Sequence, residues 1–276
     1  MRVEFTKMHG VGNDFVVFDA PIPDALLDPA RLRALADRRT GIGFDQALLL
    51  DAPRRADSAA HYRVFNADGA EVEQCGNGAR CIAALLERRG RVRDGELTLD
   101  SAVGVIRARL APDGAVSVDL GVPDFNPRSL PFDAPAEADS YALEVAGQRL
   151  EIMAVSLGNP HAVVAVAALD SIPVATLGPL IERHARFPRR VNAGFLEIVS
   201  REQVRLRVHE RGAGETRSCG TGACAAVAVA RRRGWLDARV RVEVRGGELR
   251  VNWAGVGEHI WLTGPVQVSF QGQVEV

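Results

Sequence analysis

A chain of 276 residues, 47% apolar and 25% charged, holds enough material for one large hydrophobic core or two ordinary ones. Its net charge of −1 excludes a general electrostatic attraction to nucleic acid or anionic membranes, and no stretch approaches the roughly 18 uninterrupted apolar residues of a membrane span. The opening MRVEFTKMHG lacks the apolar h-region of a secretory signal, so a cytoplasmic protein that partners with neither nucleic acid nor membrane is expected.

In chain order, the first strand-like run is Phe15–Phe18, followed by a peripheral helical segment over Pro23–Arg39 and strand-like runs at Ala47–Leu50 and Tyr62–Phe65. Cys75-Gly76-Asn77-Gly78 then opens a helix whose residues Ala79–Leu86 are apolar nearly all round, the mark of a helix buried on every face. Gly90 follows an arginine run and suits the C′ position of that helix. Runs at Leu97–Ser101, Val105–Leu110 and Val116–Leu120 come next, and the proline-containing stretch Gly121–Asp139 reads as a crossing between domains. Beyond it the order recurs. Runs at Leu150–Val155 and Ala162–Val166 precede a helical segment over Thr176–Arg186, and runs at Phe195–Val199 and Val204–Val208 precede Cys219-Gly220-Thr221-Gly222 and the apolar helix Ala223–Ala230. Gly234, Val240–Val244 and Leu249–Trp253 complete the second series. Many of these runs alternate apolar with polar residues, as half-buried strands do.

The chain therefore resembles itself. CGNGARCIAALLERRG at 75–90 and CGTGACAAVAVARRRG at 219–234 lie 144 residues apart, and Asn66 and Glu210 each stand nine residues before their cysteine. A looser echo pairs GNDFVVF at 12–18 with GNPHAVV at 158–164. Self-similarity of this length indicates a duplicated half, and two copies make a two-lobed protein rather than a solenoid. The expected fold is α/β (α+β): two pseudo-symmetric lobes, each a curved, mostly antiparallel sheet wrapped around a central buried helix. Residues 1–119 with 265–276 form the lobe carrying Cys75, residues 120–264 form the lobe carrying Cys219, and the active site lies in the cleft between them.

The four cysteines are Cys75, Cys81, Cys219 and Cys224, and their C-x5-C and C-x4-C spacings are not those of a zinc ribbon, so no metal is expected. Lys7 is the only lysine and has no phosphate loop around it, which argues against a pyridoxal-phosphate Schiff base. Cys81 and Cys224 lie inside their helices at non-equivalent repeat positions and read as core residues. A lone cysteine before glycine would read the same way. Recurrence of the same thiol in both halves is what packing alone does not explain. A cysteine preceding a helix sits where free N–H groups and the positive dipole end lower a thiol pKa and hold carboxylates. Inverting a stereocentre requires removing a proton from one face and supplying one to the other, which two facing thiols can do in either direction. N–H donors led by Gly76–Asn77 and Gly220–Thr221 would stabilise the charge building on an α-carboxylate, each typically worth about 3 kcal/mol of barrier.

These residues closely resemble a known family. Asn66-Ala67-Asp68-Gly69-Ala70 followed by Cys75-Gly76-Asn77-Gly78-Ala79-Arg80, then Glu210–Thr216 followed by Cys219–Ala225, together with Lys7–Phe15 and Gly158–His161, match the pattern of diaminopimelate epimerase along essentially the whole chain. Ala70 stands where the family usually has serine. The resemblance implies interconversion of LL- and meso-diaminopimelate on the route to lysine and peptidoglycan, without metal or organic cofactor, by a homodimer. It implies catalysis by Cys75 and Cys219, tuned by His161 and Glu210. It also implies substrate contacts at Asn13, Gln46, Asn66, Gly76, Asn77, Asn159, Asn192, Glu210, Arg211, Gly220 and Thr221. Arg211 supplies the planar fork that a distal carboxylate needs.

Bland readings stand beside these. Asn13, Asn159 and Asn192 can be turn residues, and His161 a satisfied histidine at a strand start. A proline racemase-like or hydroxyproline epimerase-like enzyme would share the lobes and both thiols. Asn77 in the first signature, where those relatives resemble C-G-H-G, and Arg211 count against it. A non-catalytic small-molecule-binding relative would have no use for both cysteines. A thiol redox protein would show C-x-x-C, which is missing.

Overall fold

The computed structural model describes residues 1–72, 75–92, 94–102 and 104–275. The chain divides into two compact units, Met1–Val118 with Gly264–Val276, and Asp119–Thr263. In the first unit the order is β1 (Arg2–Gly10), β2 (Asn13–Asp19), α1 (Pro29–Ala36), β3 (Gln46–Asp51), β4 (Ala60–Asn66), β5 (Glu71–Val72), α2 (Gly76–Arg88), β6 (Glu96–Ser101), β7 (Gly104–Leu110) and β8 (Val116–Asp119). In the second it is β9 (Tyr141–Val145), β10 (Gln148–Ser156), β11 (Pro160–Ala165), α3 (Val174–Glu182), β12 (Asn192–Ser200), β13 (Gln203–Glu210), β14 (Gly214–Glu215), α4 (Gly220–Arg232), β15 (Arg239–Val244), β16 (Gly247–Trp253) and β17 (Ile260–Gly264). β18 (Gln267–Glu275) then pairs antiparallel with β1 in the first unit.

Strand pairing in the two units is the same step by step. β1–β2 and β10–β11 are antiparallel; β2–β3 and β11–β12 are parallel. β3–β4, β4–β5, β12–β13 and β13–β14 are antiparallel, whereas β4–β6 and β13–β15, on either side of the buried helices, are parallel. β6–β7 and β15–β16 close each series as antiparallel hairpins. The duplicated sequence thus folds as a duplicated topology, and the fold is mixed α/β with few helices.

Each central helix is buried because its sequence leaves no polar stripe. α4 is built of small residues: Ala223, Cys224, Ala225, Ala226, Val227, Ala228, Val229 and Ala230 are all buried, and the helix touches β10, β11, β12, β13 and β16. α2 buries Ile82, Leu85 and Leu86 and touches β1, β2 and β7. Gly90 and Gly234 sit in left-handed conformation, at φ 67° and 75°, just past the two helices. There the Gly90 and Arg91 amides bond to the Glu87 and Leu86 carbonyls, and the Gly234 and Trp235 amides to those of Arg231 and Ala230, so the same capping turn ends both helices.

The stretch 121–139, expected as a crossing between domains, lies at the start of the second unit and contributes to its core. Leu130 and Phe132 belong to the core of the second unit, where Phe132 stacks on Phe187 at 4.5 Å and meets Tyr141 edge-on at 4.8 Å. Its buried residues Phe125, Leu130 and Phe132 alternate with exposed ones, and 135–139 are exposed. Strands β1, β5, β9, β14, β17 and β18 have no counterpart among the expected runs. In β18 the side chains are largely exposed and the sequence QVSFQGQVE carries little apolar signal; its strand form comes from pairing with β1. No helix of the described residues is long and apolar enough to cross a membrane.

Candidate active site

Both signature cysteines cap their helices. Cys75 is the N-cap of α2 with extended backbone (φ −142°, ψ 107°), and Cys219 is the N-cap of α4 (φ −121°, ψ 111°). An extended N-cap directs its side chain back over the first helical turn, so the sulfur lies beside the free amides there. The Gly78 amide donates to the Cys75 sulfur at 3.3 Å. Glycine at 222 leaves room for the Cys219 sulfur, since a Cβ there would stand 3.2 Å from it and 2.9 Å from a Val208 methyl.

In the second unit the candidates form one hydrogen-bonded chain. The Cys219 thiol donates to Glu210 Oε2 at 3.1 Å, and the Thr216 hydroxyl donates to the other oxygen of that carboxylate. The Thr221 hydroxyl stands 3.7 Å from the Cys219 sulfur and accepts from Asn159 Nδ2 at 3.2 Å. Asn159 Oδ1 in turn pairs with His161 Nε2 at 3.0 Å, which places the imidazole proton on Nε2. Asn192 accepts from the Arg211 amide at 2.8 Å and donates to the Pro160 carbonyl, and one Arg211 guanidinium nitrogen reaches the Arg189 carbonyl at 3.4 Å.

The expectation that a helix N-terminus lowers both thiol pKa values fails for Cys219. Burial pushes this thiol well above its ordinary range, and the adjacent Glu210 charge and its hydrogen bond push the same way; the Gly222 amide and Thr221 oppose them and lose. Cys219 therefore rests as a neutral thiol with its proton directed at a carboxylate. Burial, and secondarily the Arg211 charge, hold His161 down at about 3, so its ring is neutral at pH 7.

In the first unit Asn77 Nδ2 donates to Asn13 Oδ1 at 3.1 Å, and Asn13 Nδ2 donates to Asp45 Oδ2 at 2.9 Å. Gln46 Nε2 donates to Asn66 Oδ1 at 2.9 Å across the β3–β4 register. Gly76 and Asn77 are buried in the first turn of α2, as Gly220 and Thr221 are in α4. Behind Asn13 lies a charged network in which Asp14 bonds to Lys7 and Arg38, and Arg38 also reaches Asp45 at 2.7 Å. Burial opposes ionisation of Asp14, but hydrogen bonds from Arg38 and Lys7 outweigh it and hold the carboxyl at about 2.

Strand register aligns the candidates in pairs. Asn13 opens β2 and Asn159 immediately precedes β11, Gln46 and Asn192 open β3 and β12, Asn66 and Glu210 end β4 and β13, and Asn77 and Thr221 are the second residues of α2 and α4. Phe15 pairs with Gln46 as His161 pairs with Asn192. The Gln46–Asn192 equivalence is invisible in the sequence because the residue types differ. Asp45, whose sequence context reads as loop support, holds the Asn13 carboxamide, and one further residue gains a role: Thr216 fixes Glu210. Only the position of Thr216 inside the second signature hinted at it. Among the described residues no group of three or more His, Cys, Asp or Glu side chains could hold a metal.

The same fold occurs among solved structures. A hydroxyproline epimerase from Agrobacterium vitis superposes with a TM-score of 0.74 at 20% identity, covering 99% of this chain and 92% of that one, so the fold is shared. The family model for diaminopimelate epimerase matches residues 5–126 and 153–269. The diaminopimelate epimerase of Alkalilimnicola ehrlichii is 52% identical over the whole of both chains, and that of Laribacter hongkongensis is 54% identical over 99% of each. The chain belongs to the diaminopimelate epimerase family and is an isomerase.

Proposed function

We propose that this enzyme interconverts LL- and meso-2,6-diaminopimelate, in the supply of lysine and peptidoglycan precursors, with Cys75 and Cys219 acting on opposite faces of one α-carbon and no metal or organic cofactor. The observation that carries the reading is the Cys219 thiol donating to Glu210 while its repeat equivalent, Cys75, caps the other buried helix. A neutral Cys219 is the proton donor in one direction. In the other direction its proton passes to Glu210, and the thiolate so formed takes the α-proton. Amides in the first turns, at Gly76, Asn77, Gly220 and Thr221, hold the α-carboxylate and the negative charge that builds on it, each donor contributing about 3 kcal/mol. Arg211 holds the distal carboxylate, and Asn13, Gln46, Asn66, Asn159 and Asn192 complete the polar contacts. His161, neutral, tunes the site through Asn159. The enzyme works as a homodimer, which sedimentation velocity tests.

Incubation with LL-diaminopimelate in deuterated water tests the function. Deuterium should enter at one α-carbon with formation of the meso isomer, and L-proline should remain unlabelled. Labelling of proline and not of diaminopimelate would overturn the substrate assignment.

A further inference from the structure

His209 immediately precedes Glu210 in β13, and Glu182 ends α3. Neither belongs to the family signatures quoted above, and both are buried. The Glu182 carboxylate accepts from His209 Nε2 at 3.0 Å with one oxygen and from the Gly212 amide at 3.0 Å with the other. It thus grips the chain on both sides of Glu210 and Arg211. Burial opposes the charge on Glu182, but the bonds from His209 and Gly212 outweigh it and keep the carboxyl below its ordinary value, with Arg183 assisting; Arg190 stands 3.6 Å away. Gly178, one turn before Glu182 on the same helix face, lets α3 approach β13, because a Cβ there would stand 2.5 Å from that of His209.

The internal repeat supplies the control. Asn13 and Asn159, and Gln46 and Asn192, bracket α1 and α3 with the same offset of 146 residues, so Leu32 and Ala36 correspond to Gly178 and Glu182; Phe65 corresponds to His209 at the offset of 144 residues that Asn66 and Glu210 share. In the first unit these three residues are ordinary members of one hydrophobic cluster. Apolar residues therefore fill the corresponding positions in the first unit. A buried carboxylate–histidine pair generally stabilises a fold no better than apolar residues of similar volume. The polar pair Glu182 and His209 occurs on the side where the strand ends in Glu210 and Arg211; the twin ends in Asn66 and Ala67.

We infer that Glu182 and His209 are positioning residues that clamp the Glu210–Arg211 turn, so that Glu210 faces Cys219 and Arg211 is held for the distal carboxylate of the substrate. The inference rests on the proposed function for its catalytic consequence. Its geometric part has separate readouts.

Two variants test it: Glu182→Gln, which keeps the size but removes the charge, and Glu182→Ala/His209→Phe, which copies Ala36 and Phe65. With the urea midpoint unchanged, each should exchange the Gly212 amide at least tenfold faster and lose at least tenfold in kcat/KM with LL-diaminopimelate, KM rising as well as kcat falling. The pH midpoint for alkylation of Cys219 by iodoacetamide should move down, because Glu210 no longer holds its charge against the thiol. A purely structural pair would leave that midpoint in place. Folded variants with wild-type kcat/KM and a wild-type alkylation midpoint overturn the inference. So does a wild-type Gly212 amide that exchanges as fast as an open loop, a measurement that needs no variant. If wild-type enzyme labels no diaminopimelate, the proposed function fails, while exchange and alkylation still decide the clamp.

Discussion

Replacing His161 with glutamine removes one titrating group from the interior while keeping an N–H donor for Asn159. In the folded protein burial, with help from the Arg211 charge, holds this histidine at about 3, against about 6.5 in the unfolded chain. The unfolded state then binds the extra proton, so the stability contributed by the neutral ring is complete above pH 6.5 and is lost as the pH falls toward 3. Taking 1.36 kcal/mol per unit, the full loss is about 5 kcal/mol, of which about 2 kcal/mol falls between pH 7 and pH 5, before most carboxylates titrate. Urea unfolding of both proteins at pH 7, 6 and 5, at fixed ionic strength, measures it. The wild type should lose about 2 kcal/mol more than His161→Gln over that interval, the other five histidines being common to both. Imidazole nitrogen resonances should show His161 still neutral at pH 5. Equal losses in the two proteins would refute the assignment of a buried, neutral ring.

Cys75→Ala and Cys219→Ala should each nearly abolish epimerisation with the far-ultraviolet circular dichroism unchanged, and near-normal turnover in either would end the two-thiol mechanism. Glu210→Gln removes the charge that holds the Cys219 proton in place. Iodoacetamide should then label Cys219 faster at neutral pH even as turnover falls, and slower labelling would reverse the electrostatic argument. Arg211→Lys should raise KM for diaminopimelate because an ammonium lacks the guanidinium fork; an unchanged kcat/KM would release Arg211 from the distal carboxylate. Gly222→Ala places a methyl 2.9 Å from Val208 and 3.2 Å from the Cys219 sulfur, and should cost about 1–3 kcal/mol of stability by urea unfolding together with most of the activity.

The features legible in the sequence are those whose physics is local. Residues 79–86 and 223–230, apolar nearly all round, read as buried helices, glycine at 90 and 234 supplies the left-handed turn that ends them, and recurrence of Cys-Gly-x-Gly at a fixed distance reveals the duplication. Strand β18 and the packing of 121–139 depend on distant partners, β1 in one case and Phe187 and Tyr141 in the other, so they leave little trace in local pattern. The same division runs through the site. Cys75 and Cys219 announce themselves through the repeat, but the protonation of Cys219 does not. A helix N-terminus alone would lower its pKa, and burial against Glu210, nine residues away along the chain, reverses the sign. Asp45 reads in the sequence as a loop support, but its partner Asn13 does not; Thr216 behind Glu210 and Glu182 behind His209 are likewise hidden, because a hydrogen bond between side chains on different elements exists only once the strands and helices have packed. The repeat by itself singles out the residues able to carry the chemistry; tertiary structure decides their charge and orientation, since desolvation and hydrogen bonding are properties of neighbours in space and not along the chain.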